Sequence, residues 1–458
     1  MSEAERTAGR APASSALRQH VRQTVRLAVP VMLARCGFII MVTVDTVMTG
    51  QVSAEMLAHY GIAMAPHLTV LVIGIGLMAA TTILSAQFAG AGREGEIGSI
   101  WRNALVIALG LGLLAGALLS QGETILLWLG QSNELAVHGG AAVRAFAWGM
   151  PGLYLFLACA FCLEGIGRPV VGMVITLSGN LVNAGTNWLL IEGHAGFPAM
   201  GAAGAAMATS VTRWTMFAAA LLYLLVLMPD RERFGLLGRR LPFALAAKQL
   251  RLGLPLALSV GLQTAALAAL ATMAGWLGQQ PLAAFQIANN IVAFLFMLSI
   301  GMANATAVRV ANAIGRGDRA ARTTAGLVGL GLVLVLQLSV AATIEASPGL
   351  LPSAYTDNRA VLALVGPAML WVGLGIVADG SQAVLQGALR AMGQVWIPLA
   401  IYASAYWLLM VPLGYLLAQP LGWGVEGLLA ALFLGYAVAA GAMALRFRIM
   451  SLREVRPL

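Results

Sequence analysis

Two carboxylates lie inside stretches that otherwise read as membrane-spanning. Asp45 falls near the far end of RLAVPVMLARCGFIIMVTVDTVMTG, Arg26 to Gly50, and Asp379 falls in VGLGIVADGSQAVLQGALRAMG. A charged side chain at mid-bilayer costs about 2.5–3.5 kcal/mol on insertion scales, so such a group is kept for function or is locked to a neighbouring helix. Amides come next. Asn180, Asn183 and Asn187 in LSGNLVNAGTNWLLIEG are spaced at three, four and seven, which places them on one face of a helix. That face suits interhelical hydrogen bonding and a ligand site equally. Gln263, Gln286, Asn289, Asn290 and Asn304 fall on the seventh and eighth apolar segments, where they either line a cavity or link helices. Glu164 precedes GIGRP, and an ion pair with Arg168 at i+4 is expected. His67, the one histidine well inside an apolar segment, is expected to pack.

The elements that carry these groups follow from composition. Hydrophobic residues make up 60% of the chain and charged residues 10%, with a mean hydropathy of +0.85. An ordinary soluble domain is about 25% charged, so this is a polytopic membrane protein. Twelve apolar segments are long enough to span, roughly at 26–49, 56–89, 103–121, 136–164, 170–191, 200–228, 249–277, 282–311, 322–345, 360–389, 396–419 and 425–447. The net charge of +9 does not point to nucleic acid, because the basic residues cluster in alternate loops. Assigning loops to alternate sides puts 23 of the 27 basic residues on one face, which makes both termini cytoplasmic. Cys36, Cys159 and Cys162 all lie in apolar stretches and read as small core residues. Neither a metal-ligand spacing nor a catalytic cluster of His, Asp or Glu occurs, so neither an enzyme nor a cofactor is expected.

The chain repeats itself. A constant shift of 225 residues pairs Arg26 with Arg251, Pro30 with Pro255, Met48 with Met273, Gly76 with Gly301, and Gly90 and Gly92 with Gly315 and Gly317. Asp45 falls opposite Leu270, so the repeat is not kept at the chemistry. The organisation expected is a tail at 1–24, a six-helix lobe at 25–228, a cytoplasmic linker at 229–248, a second lobe at 249–448 and a tail at 449–458. Six helices per copy is an even number, so both copies enter from the same side and are related by an axis along the membrane normal, around a central cleft.

The first helix ending VDTVMTG, then LAHYGIA, QFAGAGR, RLGLPLA, LAAFQIANNI, VRVANAIGRGD and QGALRAMG, in that order and spacing, resemble the multidrug and toxic compound extrusion (MATE) family in its bacterial NorM-like branch. The resemblance runs from about Arg22 to Arg448. It implies an all-α fold of twelve transmembrane helices in two six-helix lobes, in the bacterial inner membrane, in contact with lipid and acting as a monomer. The activity implied is efflux of cationic or amphipathic compounds against inward flow of H+ or Na+. Carried over residue by residue, Asp45 matches the N-lobe carboxylate, Asn183 and Asn187 the pair beside it, and Asp379 the C-lobe carboxylate. Where that branch usually has Glu stands Gln263, and where it often has Tyr stands Gly375.

The mechanism expected is competition of cargo and coupling ion for one carboxylate, Asp45, with Asn183 and Asn187 as partners of a proton or of Na+. Asp45, Asp379, Gln263, Asn180, Gln286, Asn289 and Asn304 are the expected cavity residues. A lone carboxylate suits a proton better than Na+, which wants several oxygen ligands. A flippase for a lipid-linked saccharide is the rival; it would need several arginines for a pyrophosphate, and only Arg35 and Arg213 are candidates within the helices.

Overall fold

The computed structural model describes residues 13–455, with side chains from Leu17 onward; residues 1–12 and 456–458, and with them Arg6, Arg10 and Arg456 of the charge pattern, lie outside it. Among the described residues there is no β-strand, and eleven helices are long and apolar enough to cross a membrane. In chain order the long helices are α1 (Ala13–Val52), α2 (Ala54–Gly90), α3 (Glu94–Leu119), α4 (Asn133–Gly165), α5 (Pro169–Leu190), α6 (Gly201–Leu227), α7 (Phe243–Trp276), α8 (Gln279–Gly315), α9 (Arg319–Ala346), α10 (Arg359–Ala391), α11 (Trp396–Ala418) and α12 (Gly424–Ser451). The one outside the apolar set is α5, whose 22 residues include Asn180, Asn183 and Asn187. These asparagines, with Thr176, Ser178 and Thr186, lower the hydropathy of its most apolar stretch below that of the other long helices.

Helix ends are set by short polar signals. Ser53 caps α2 by accepting from Met56 N at 3.1 Å, Asp318 caps α9 from Ala321 N at 2.8 Å, and Asn358 caps α10 from Ala360 N at 3.0 Å. Gly92 at φ 71° and Gly317 at φ 70° turn the chain after α2 and α8, so the duplicated glycines serve the same left-handed turn in both copies. The helix α1 begins at Ala13, ahead of the expected span at 26.

The helices gather into two compact units. One holds Leu33–Ala269 and Gly393–Leu408; the other holds the described residues up to Met32, Leu270–Met392, and the described residues from Leu409 onward. In the first, α4 is the central helix: Phe146, Met150, Tyr154, Ala158 and Phe161 are all buried, with α2, α3 and α6 packed around them. Glycine lets α3 touch α4 at backbone distance, since a Cβ on Gly112 would lie 2.4 Å from Pro151 Cα and one on Gly116 would lie 3.0 Å from Ala147 O. The polar segment after α6 folds onto the start of α3. Arg102 donates to the carbonyls of Gly235 and Leu236 at 2.9 and 3.1 Å, and Asn103 donates to Pro242 O at 3.1 Å. In the second unit α8 and α10 form the centre, flanked by α9 and α12. There Arg322 donates to the carbonyls of Met450, Ser451 and Arg453 at 3.0–3.2 Å, satisfying the open end of α12.

Candidate functional site

Asp45 lies on α1, 1% exposed, where α2, α5 and α6 meet it. Its Oδ1 accepts from Asn183 Nδ2 at 3.0 Å and Asn187 Nδ2 at 2.6 Å. Its Oδ2 accepts from Tyr60 OH at 3.0 Å and Thr209 Oγ1 at 2.5 Å. The spacing of Asn183 and Asn187 by one helical turn is what lets both amides reach the same oxygen, and Asn187 also donates to Asn183 Oδ1 at 3.2 Å. An ionised carboxylate is an acceptor only, so four donors complete it without any cation. Asn187 Oδ1 has no hydrogen-bond partner, so an amide turned over would present an acceptor to a protonated Asp45.

Asp45, Asn183 and Asn187 come together as their types and spacing suggest, whereas Tyr60 and Thr209 join them unannounced. Both stand alone in apolar runs, Tyr60 in LAHYGIA and Thr209 in AMATSVT, with no pattern to mark them. Asn180 is not in the cluster. It donates to Thr176 O, one turn back on its own helix, at 3.0 Å, and its Nδ2 lies where a Cβ on Gly37 would meet it.

Asp379, on α10 in the other unit, is 3% exposed and its Oδ1 has no hydrogen-bond partner. One residue on, Gly380 packs against Ser299 and Gln337, which bond each other at 2.5 Å. The remaining expected cavity residues are scattered. Gln263 is half-buried on α7; Gln286 is exposed and Asn289 half-buried on α8; Asn290 accepts from Tyr355 OH at 3.1 Å; and Asn304 accepts from Arg390 at 3.4 Å.

Two local expectations change. Glu164 pairs with Arg35 at 3.1 Å and not with Arg168, which bonds Asp230. The reason is that α4 ends at Gly165 and Gly167 takes φ 78°, so Arg168 has left the helix before i+4 geometry can apply. His67 does pack, 1% exposed with its ring centroid 4.0 Å from Phe146, but it also accepts from Arg213 Nη2 at 2.8 Å. The thiols of Cys159 and Cys162 are buried beside Trp101 and Ser85.

The MatE family model matches residues 30–189 and again 255–416, two copies whose starts stand apart by the same shift that repeats the sequence. A probable multidrug resistance protein NorM from Caulobacter vibrioides is 33% identical over 94% of this chain and 92% of its own length. The multidrug resistance protein NorM of Photobacterium profundum is 30% identical over 94% of this chain and 96% of its own. Among solved structures, the eukaryotic MATE transporter AtDTX14 superposes with a TM-score of 0.84 at 19% identity, covering 95% of this chain and 96% of that one. An outward-facing multidrug resistance MATE transporter superposes with a TM-score of 0.87 at 20% identity, covering 97% and 99%. The chain is a multi-pass membrane protein that belongs to the MatE family, in its NorM-like branch.

Proposed function

We propose that the protein is a secondary active multidrug exporter that expels cationic or amphipathic compounds in exchange for protons, by alternating access of two six-helix lobes at 25–228 and 249–448. The observation that carries this reading is the buried Asp45 carboxylate, held by Tyr60, Asn183, Asn187 and Thr209 from three other helices. A group of that kind has two charge states and four partners that can follow the change: hydroxyls rotate and amides turn. Loading a proton removes the negative charge that attracts a cationic cargo, so cargo and proton occupy the site in turn. Relatives named for multidrug resistance supply the cargo class.

The proton is favoured over Na+ because the atoms turned toward the carboxylate are donors. A hard cation wants several oxygens at short distance, so Na+ would need both amides to turn and both hydroxyls to rotate at once, whereas a proton needs only one of the four partners to become an acceptor. Asp379, buried without a donor on Oδ1, is the second candidate for a bound proton or cation. The flippase rival loses support from its two arginines, since Arg35 pairs with Glu164 and Arg213 binds His67. The topology of this reading has both termini and the 229–248 linker in the cytoplasm.

The deciding experiment reconstitutes the protein in liposomes and imposes a pH gradient and a Na+ gradient separately while a cationic dye is followed. Dye movement with the pH gradient alone is the expected result. Movement driven by Na+ at fixed pH and zero membrane potential would exchange the coupling ion, and movement with neither would remove the antiport reading.

A further inference from the structure

Arg213 is a charge the Asp45 switch has not used. It lies on α6, 6% exposed, and no carboxylate is within ion-pair distance of it among the described residues. Its Nη2 donates to His67 Nε2 at 2.8 Å, its Nη1 lies 3.8 Å from Met150 Sδ, and its Cζ stands 5.8 Å from the centroid of Phe146. A guanidinium only donates and stays protonated, so Nε2 of His67 must accept and the imidazole is the neutral ring with its hydrogen on Nδ1. A buried cation held by neutral groups is strongly unfavourable unless an opposite charge compensates it.

The helix register identifies that charge. Thr209 stands one turn before Arg213 on α6 and donates to Asp45 Oδ2; Tyr60 stands two turns before His67 on α2 and donates to the same oxygen. Both helices therefore lead from Asp45 to the Arg213–His67 pair, and Arg213 stands one helical turn beyond a residue that donates directly to Asp45. The other ionisable groups around the site are accounted for. On α1, Arg35 is paired with Glu164 of α4; on α2, His59 stacks on His138 of α4 with centroids 4.9 Å apart; Tyr154 of α4 donates to Val70 O at 2.8 Å; and Arg144 of α4 pairs with Glu123. No residue of α5 ionises, and Arg213 is the one charge on α6 between Gly201 and Leu222.

We propose that Arg213 is the resident countercharge of Asp45, so that proton loading takes the buried interior of this unit from neutral to positive and thereby drives cationic cargo off. The inference rests on the efflux reading above and adds a second component to it. Without Arg213, Asp45 alone changes from negative to neutral, and release depends only on a lost attraction. With Arg213 present, release is helped by a charge that was there throughout and becomes uncompensated.

The test is dye binding to the purified full-length protein, by fluorescence anisotropy of a monovalent cationic dye as pH is varied, for the parent, Arg213→Gln, Arg213→Lys and Asp45→Asn. Removing a positive charge near Asp45 makes its proton harder to lose, so the Arg213→Gln midpoint moves to higher pH. At an effective dielectric of about 20 and a separation of roughly 10 Å, one helical turn plus side-chain reach, the move is about one pH unit, a tenfold change in proton affinity. The limiting affinity at high pH also tightens, whereas Arg213→Lys keeps both near the parent. An Arg213→Gln midpoint coincident with the parent's overturns the countercharge and leaves the Asp45 site standing. Parental binding indifferent to both pH and Asp45→Asn refutes the efflux site, and the countercharge falls with it. If Arg213→Gln fails to accumulate, Asp45→Asn/Arg213→Gln decides. Recovery of folded protein in the double variant supports the pairing, and equal loss in both overturns it.

Discussion

Replacing Asp45 by asparagine changes almost no volume and removes the one group at this site with two charge states. The structure sets what the change costs. Asparagine Oδ1 can still accept from Asn183 and Asn187, and its NH2 faces Tyr60 and Thr209, whose hydroxyls can rotate to accept. Hydrogen bonds to a charged group contribute about 1.5–3 kcal/mol each and neutral ones about 0.5–1.5. Against that loss stands relief from burying a charge, a penalty of several kcal/mol. The two largely offset, and the compensation that Arg213 loses adds about 1–2 kcal/mol at the separation taken above, so Asp45→Asn is expected to insert and purify but to melt a few degrees below the parent. Transport is different in kind. One proton exchanged for one monovalent cation sustains roughly a tenfold cargo gradient per pH unit imposed, since one pH unit is about 1.36 kcal/mol. In Asp45→Asn proteoliposomes the dye gradient should stay at unity under the same imposed pH gradient. An Asp45→Asn protein that accumulates dye at the parental rate would make the carboxylate structural and move the coupling role to Asp379.

Further outcomes are expected from the same geometry. Asn187→Ala removes the 2.6 Å donor and the nearby acceptor but not the titrating group, so it should shift the pH profile of efflux and keep its maximum, read from initial dye-efflux rates across pH. Single cysteines placed in the 229–248 segment should resist impermeant thiol reagents in intact cells, whereas cysteines near Gln51 or Thr356 should be labelled; the opposite pattern would invert the topology. Gly112→Ala should lower the melting temperature in detergent, because its Cβ would sit 2.4 Å from the Pro151 backbone and overpacking of that kind costs about 1–3 kcal/mol.

The parts of the site legible in the sequence were those that left a pattern. Asn183 and Asn187 declared a face by their spacing, and Asp45 declared itself by cost. Tyr60 and Thr209 did neither: one tyrosine or threonine in an apolar helix is common, and only the approach of α2 and α6 to α1 shows that both hydroxyls meet Oδ2. The Glu164 pairing misled for a related reason. A spacing of four implies contact only if the helix continues, and the turn at Gly167 ends it first. The duplicated glycines were legible for the opposite reason, since Gly92 and Gly317 answer a backbone demand, a left-handed φ, that does not depend on what packs nearby.

That contrast between backbone and side chain bears on how the two halves of the chain diverged. The repeat is kept where the backbone needs it, at Pro30 and Pro255 within their helices and at the glycine turns. It is lost at the carboxylates: Asp45 corresponds to Leu270, which is fully buried in the second unit. The second unit carries its own carboxylate on a different helix, and the two environments are opposite. Asp45 has two donors on each oxygen, whereas Oδ1 of Asp379 has none. An acceptor already supplied with donors can hold a negative charge in place, and one without them is costly to ionise. On the efflux reading proposed above, the divergence gives the two halves of the chain unequal charge chemistry, with the coupling charge assigned to Asp45. The paired test is Asp379→Asn beside Asp45→Asn in the same proteoliposomes: the first should weaken dye efflux without erasing its response to the pH gradient, and loss of that response from Asp379→Asn alone would reverse the assignment.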